Sequence, residues 1–172
     1  RQGMWVTIGE TFGASQRGGS GMSHLRISAE SVWSPQIPQG RAQGVIALEP
    51  SEAFRVLAVY GNPDTEVIWN TRPIHPVKVI AGEAAYPSRE TIAQGMAELS
   101  ARNWALEATA EAQRLGNPIL GNIMMIGALS VVSHLSITPE LFEEAIRDMM
   151  PASKVPINLE AFELGRQALA RA

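Results

Sequence analysis

The sequence predicts an α/β fold with a mostly parallel sheet, and three observations carry that expectation. Short apolar, β-rich runs recur at 45–48, 66–70 and 103–106. Each is followed, directly or after a loop, by residues with helical periodicity. Helix start signals stand further on at Asn117-Pro118 and Thr138-Pro139, where a capping residue precedes proline at the first helical position. Strands alternating with helices are joined by crossovers that leave neighbouring strands parallel. The length of 172 residues and the apolar fraction of 45% fit one packed domain spanning 1–172. Internal repeats and low-complexity segments are absent.

In chain order, Met4, Trp5, Val6, Thr7 and Ile8 form a β-rich run that ends at Gly9. Residues 22–28 alternate as a half-buried strand does, and Val32 to Ser34 lies close enough to pair with them as a local hairpin. Val45 to Leu48 is a fully apolar strand, followed by the Glu49-Pro50-Ser51 start of a helix through Ala53, Phe54, Leu57 and Ala58. Gly61-Asn62-Pro63-Asp64 breaks it, and Glu66 to Asn70 is the next strand. Pro73-Ile74-His75-Pro76 is extended loop, because a residue before proline is pushed out of the α region. Ser88 caps a helix to about Leu99, Asn103 to Leu106 is a strand, and a helix entered through Thr109 stops at Gly116. Asn117 opens a long apolar helix ending near His134, whose Gly121, Gly127 and Ala128 permit close packing and whose Met124 and Met125 fill core. Thr138 caps the next helix. Asn158 is expected to cap a final amphipathic one bearing Leu159, Phe162 and Leu169.

Composition excludes several function classes. A net charge of −3 with scattered basic residues gives no footprint for nucleic acid or anionic lipid. With no cysteine, the chain offers no disulfide, thiol nucleophile, cysteine-ligated zinc or thiolate-held iron–sulfur cluster. The longest apolar stretch, 118–132, would reach only ~22 Å as a helix against a bilayer core of ~30 Å. No secretory h-region opens the chain, so a cytoplasmic location is expected. The chain begins at Arg1 rather than Met, and an N-terminally incomplete domain is the corresponding expectation.

The segment from Gly9 to Gly21 combines many glycines with Glu10, Thr11, Gln16 and Arg17. Such a mixture offers free backbone N–H groups and one guanidinium able to bind carboxylate or phosphate through paired hydrogen bonds. The plainer reading is a long turn whose glycines supply positive φ and whose arginine is solvated. His24, His75 and His134 share no metal-ligand spacing, and no acidic repeat supplies the missing ligands. His24 reads as a sheet residue, His134 as a helix-end residue and His75 as displayed on a loop. No nucleophile elbow, Walker loop or complete Gly-x-Gly-x-x-Gly fingerprint is present.

Taken in order, a set of landmarks resembles the gamma-type domain of 2-oxoacid:ferredoxin oxidoreductases, the pyruvate/ketoisovalerate oxidoreductase family, on its indolepyruvate branch. They are Gly9-Glu10-Thr11, Gln16-Arg17-Gly18-Gly19-Ser20, 23–28, Ile37-Pro38, Leu48-Glu49-Pro50, Gly116-Asn117-Pro118 with Asn122, Gly127-Ala128-Leu129, and 158–165. The resemblance implies a three-layer, flavodoxin- or Rossmann-like domain that lacks the family's first strand, glycine-rich loop and helix. It implies a role as a small subunit in coenzyme A-dependent oxidative decarboxylation of an aryl pyruvate to an acyl-CoA, with electrons passed to ferredoxin. Thiamine diphosphate and iron–sulfur clusters would sit on a large partner subunit, with no cofactor, metal or catalytic residue on this chain. The binding or interface residues it implies are Glu10, Thr11, Gln16, Arg17, Gly18, Gly19, Ser20, Asn117 and Asn122. Departing from the branch, Phe12 stands where a histidine is frequent. The rival readings are a free-standing nucleotide- or substrate-binding α/β protein and a purely structural assembly factor.

Overall fold

A computed structural model describes residues 3–12, 21–132, 135 and 137–170. Two strands, β1 (Trp5–Phe12) and β2 (Gly21–Ser28), form an antiparallel ribbon. A parallel sheet in the order β3-β4-β5 follows, from β3 (Gly44–Ala47), β4 (Glu66–Asn70) and β5 (Arg102–Leu106). The helices are α1 (Pro50–Tyr60), α2 (Val77–Ile80), α3 (Arg89–Leu99), α4 (Ala108–Arg114), α5 (Leu120–Val132), α6 (Pro139–Met149) and α7 (Val155–Ala170).

The three layers follow from alternation along the strands. Val45, Ala47, Val67 and Trp69 point to one face, where Ala53 and Leu57 of α1 and Ile92 and Met96 of α3 close over them. Ile68 and Leu106 face the opposite layer of α4, α5 and α7, with Ala112, Met124, Met125, Ala128, Ala161 and Leu169. β4 is buried on both faces, and its near-continuous apolar run is what a central parallel strand requires. Beyond α7, α6 docks through Phe142, whose ring stacks on Phe162 at 4.0 Å between centroids.

Most start signals are realised as expected. Ser88 accepts the Thr91 N–H at 3.1 Å and Thr138 accepts the Leu141 N–H at 3.3 Å, whereas α5 begins at Leu120 rather than Pro118, and Asn117 accepts the Ile119 N–H at 3.1 Å in the turn ahead of the helix instead of capping it. Asn158 differs. It lies inside α7 rather than at its start, and its amide donates to the Lys154 carbonyl at 2.8 Å, one turn back.

The ribbon also departs from expectation. The hairpin partner of β2 is β1, not 32–34, and β1 runs straight through Gly9 to Phe12. Gly9 is there because the chain folds back over it: a Cβ would lie 2.9 Å from that of Pro35. The loop 29–36 is instead held to β2 by Arg26, which donates to the Ser34 and Gln36 carbonyls at 3.0 Å each and lies 4.7 Å from the Trp33 ring. The ribbon rests on α1 through buried His24, edge-on to Tyr60 at 5.0 Å. Its other face leaves Val6, Ile8 and Leu25 exposed.

Among the described residues no strand pairs with the outer edge of β3. A groove of about 360 Å³ lies there between β3 and β2, floored by Val56 and Tyr60 of α1. No helix among the described residues is long and apolar enough to cross a membrane.

Candidate functional site

In an open parallel sheet the strands all end on one edge, and ligands collect in the crevice outside those ends. Here the ends of β3, β4 and β5 are tied together by Asn70, the last residue of β4. Its buried amide donates to the Leu48 carbonyl at 3.1 Å and to Thr109 Oγ1 at 2.8 Å, and its oxygen accepts the Thr109 N–H at 3.3 Å. All three amide contacts therefore hold the rim in one shape. Outside it opens a pocket of about 180 Å³, lined by Leu48, Asn70, Arg72, Ile74, Thr109 and Asn122 among others.

Asn122 reaches the pocket because it lies in the first turn of α5, beside Gly121, which sits against Ala108. Its amide and the Arg72 guanidinium make no hydrogen bond or ion pair among the described residues. They are donors left over for a ligand. Among the described residues the lining holds no histidine, carboxylate, lysine or serine, and its charged group, Arg72, suits an anion.

Next to Leu48 of the pocket lining stands Glu49, 7% exposed, which itself lines the groove beside β3. Its Oε2 accepts the Glu52 N–H at 2.8 Å and the Ser51 hydroxyl at 2.6 Å, which makes it the N-cap of α1. Its Oε1 accepts the Ile74 N–H at 3.4 Å and the Tyr86 hydroxyl. Burial pushes the Tyr86 phenol up to about 12, and the hydrogen bond to Glu49 and that carboxylate's charge add to the shift.

The residues expected at a binding surface separate into three groups. Asn122 lines the pocket, while Asn117 is exposed just before α5 and serves the turn that places Asn122. Glu10 and Thr11 stand exposed on β1, part of a strand rather than of a loop, and line neither the pocket nor the groove. Gln16, Arg17, Gly18, Gly19 and Ser20 lie outside the described residues, as does His134. Sequence reasoning missed Asn70, Arg72, Thr109 and the Glu49–Tyr86 pair. The available signal was positional: a polar residue closing an apolar strand, and an acid between a strand and a helix-starting proline.

The sequence model of the pyruvate ferredoxin/flavodoxin oxidoreductase family matches residues 1–168. The indolepyruvate oxidoreductase subunit IorB of Archaeoglobus fulgidus is 39% identical over 96% of this chain and 81% of its own length. Among solved structures, the gamma subunit of a keto/oxoacid ferredoxin oxidoreductase from Geobacter sulfurreducens superposes with a TM-score of 0.60 at 16% identity, over 97% of this chain and 82% of that one. A 2-oxoglutarate:ferredoxin oxidoreductase from Magnetococcus marinus, solved with 2-oxoglutarate, coenzyme A and succinyl-CoA bound, superposes with a TM-score of 0.68 at 17% identity. That match covers 99% of this chain and 26% of the longer one.

Proposed function

The chain belongs to the pyruvate ferredoxin/flavodoxin oxidoreductase family, and on that premise we propose that it is the small subunit of an indolepyruvate-type 2-oxoacid:ferredoxin oxidoreductase of the cytoplasm. The complex decarboxylates an aryl pyruvate oxidatively, joins the acyl group to coenzyme A and passes the electrons to ferredoxin. Iron–sulfur clusters are held by thiolates, and this chain has no cysteine. The clusters therefore belong to a larger partner subunit, to which we also assign the thiamine diphosphate. No bond-breaking role falls to this chain.

Its contribution is binding. The segment bearing Glu10, Thr11, Gln16, Arg17, Gly18, Gly19 and Ser20 docks on the larger subunit, and the strand-end pocket takes part of coenzyme A. One observation carries the second assignment: Arg72 and the Asn122 amide converge as free donors on a pocket whose lining has no acid–base group. The Magnetococcus marinus enzyme, 26% of whose chain matches this fold, was solved with coenzyme A bound.

The test is to co-express the chain with its larger partner and measure the KM for coenzyme A. Arg72→Ala removes a charged donor and should raise that KM roughly tenfold or more, with assembly intact. An unchanged KM would take coenzyme A out of the pocket. A chain that binds nucleotide as a monomer and ignores the partner would favour the free-standing alternative.

A further inference from the structure

Between β4 and α3 the chain makes a detour that adds almost nothing to the core. Every residue from Arg72 to Ala85 except Val79 is exposed, Val77 and Ile80 at 65% and 74%. The short helix α2 within it buries no residue. A segment with so few buried contacts opens easily unless something fastens it. The hydrogen bonds within it, from the Glu83 and Ala84 N–H groups to the Lys78 carbonyl, hold it only to itself.

Among the described residues two hydrogen bonds join it to the body, and both end on one atom; the His75 ring also packs edge-on against that of Tyr86, 4.9 Å between centroids. The Ile74 N–H and the Tyr86 O–H donate to Oε1 of Glu49. The other oxygen of that carboxylate is committed to the start of α1 through Ser51 and Glu52. Among the described residues no cation pairs with Glu49, so its buried charge rests on these four donors. One carboxylate thus joins a rigid helix start, through one oxygen, to a loosely packed strap, through the other.

The strap is also a wall of the pocket. Arg72 and Ile74 line it, facing Asn70 and Thr109 on the rim and Asn122 on α5. The fastened N–H belongs to Ile74 itself. Whatever sets that bond sets where the strap wall stands.

We propose that Glu49 is a positioning residue, which fixes the strap 72–85 against the strand ends and thereby places Arg72 for the anionic part of coenzyme A. This rests on the coenzyme A reading of the pocket. Tyr86 is the donor that can be removed cleanly, since its phenol stays protonated through neutral pH and its loss leaves Ser51 and Glu52 on the cap side.

Three variants and two readouts test it. In the complex, Tyr86→Phe should raise the KM for coenzyme A roughly tenfold, the loss of one hydrogen bond to a charged group, with kcat nearly unchanged. Ser51→Ala, which removes a donor to the other carboxylate oxygen and only a lesser contact with Tyr86, should move the KM far less. On the full chain, trypsin should cut after exposed Lys78 several-fold faster in Tyr86→Phe than in the parent, because cleavage tracks how often the strap opens. A parental KM in Tyr86→Phe, an equal rise in Ser51→Ala, or parental cleavage at Lys78 would each overturn the proposal. A parental KM in Arg72→Ala would instead overturn the coenzyme A reading, and the role of Glu49 toward that ligand with it.

Discussion

Asn70 and Glu49 show how a single polar side chain can organise the walls of a site. Each is buried, and each uses its hydrogen-bonding capacity on groups far away in sequence: Asn70 on Thr109, 39 positions on, and Glu49 on Tyr86, 37 positions on. This distance is why neither role was legible beforehand. A strand-final Asn or a Glu before proline is visible, but its partners are chosen by the fold. The Tyr86 phenol gives the clearest check at this scale. Its value in the folded chain is about 12 against an ordinary 10.0, so folding holds the proton more tightly. The stability this contributes is whole below pH 10 and is lost as pH rises through about 12. In a phenolate absorbance titration, parent minus Tyr86→Phe should show a half-point near 12. The stability difference between the two should shrink between pH 10 and 12. A half-point at 10 would mean that the phenol is neither buried nor bonded to Glu49 as described.

Elements were legible where their signals are local. The caps at Ser88 and Thr138 each need only a short polar side chain two or three residues before an amide it can accept. The two strands of the ribbon were legible but their pairing and the full length of β1 were not, because Gly9 carries the mark of a strand end while its actual cause, the approach of Pro35, is a tertiary contact. Asn158 failed for a related reason. A capping residue type inside a helix satisfies itself on the carbonyl one turn back. The long apolar helix was read as one whose small residues let a neighbour close in, and that neighbour is α7. The two helices cross at reciprocal glycines: a Cβ on Gly127 would lie 2.0 Å from the Phe162 carbonyl oxygen, and one on Gly165 would lie 1.9 Å from that of Met124. Neither carbonyl can yield without moving its helix. Gly127→Ala and Gly165→Ala should therefore each destabilise the domain by about 1–3 kcal/mol or more, as overpacked cores do. Urea midpoints measure this. Ala at Gly21, where no described residue lies within 4 Å of the added Cβ, is the control expected to stay near the parent.

At the scale of the molecule, the α/β class was legible because each element follows from a period, two along the strands and 3.6 along the helices, whereas the three layers were implied by the family resemblance. What the molecule joins to was legible only in part, since an interface is written in surface residues whose alternative, solvation, has the same composition. The exposed apolar face of the ribbon and the free donors of the pocket show that the isolated chain leaves surface unused. The segment between β1 and β2 adds a planar cation, Arg17, of the type favoured in interface hot spots. If that cation is paired against the larger subunit, removing it strands the partner group in a desolvated place. Arg17→Ala should then weaken assembly by about 2–5 kcal/mol while leaving the fold of the chain as it was. Complex formation and activity per assembled complex have to be measured separately. Weak assembly with normal activity in whatever complex forms is the expected result. Full assembly with activity abolished would move Arg17 from docking to contact with substrate or coenzyme A. Full assembly with full activity would leave it a solvated turn residue.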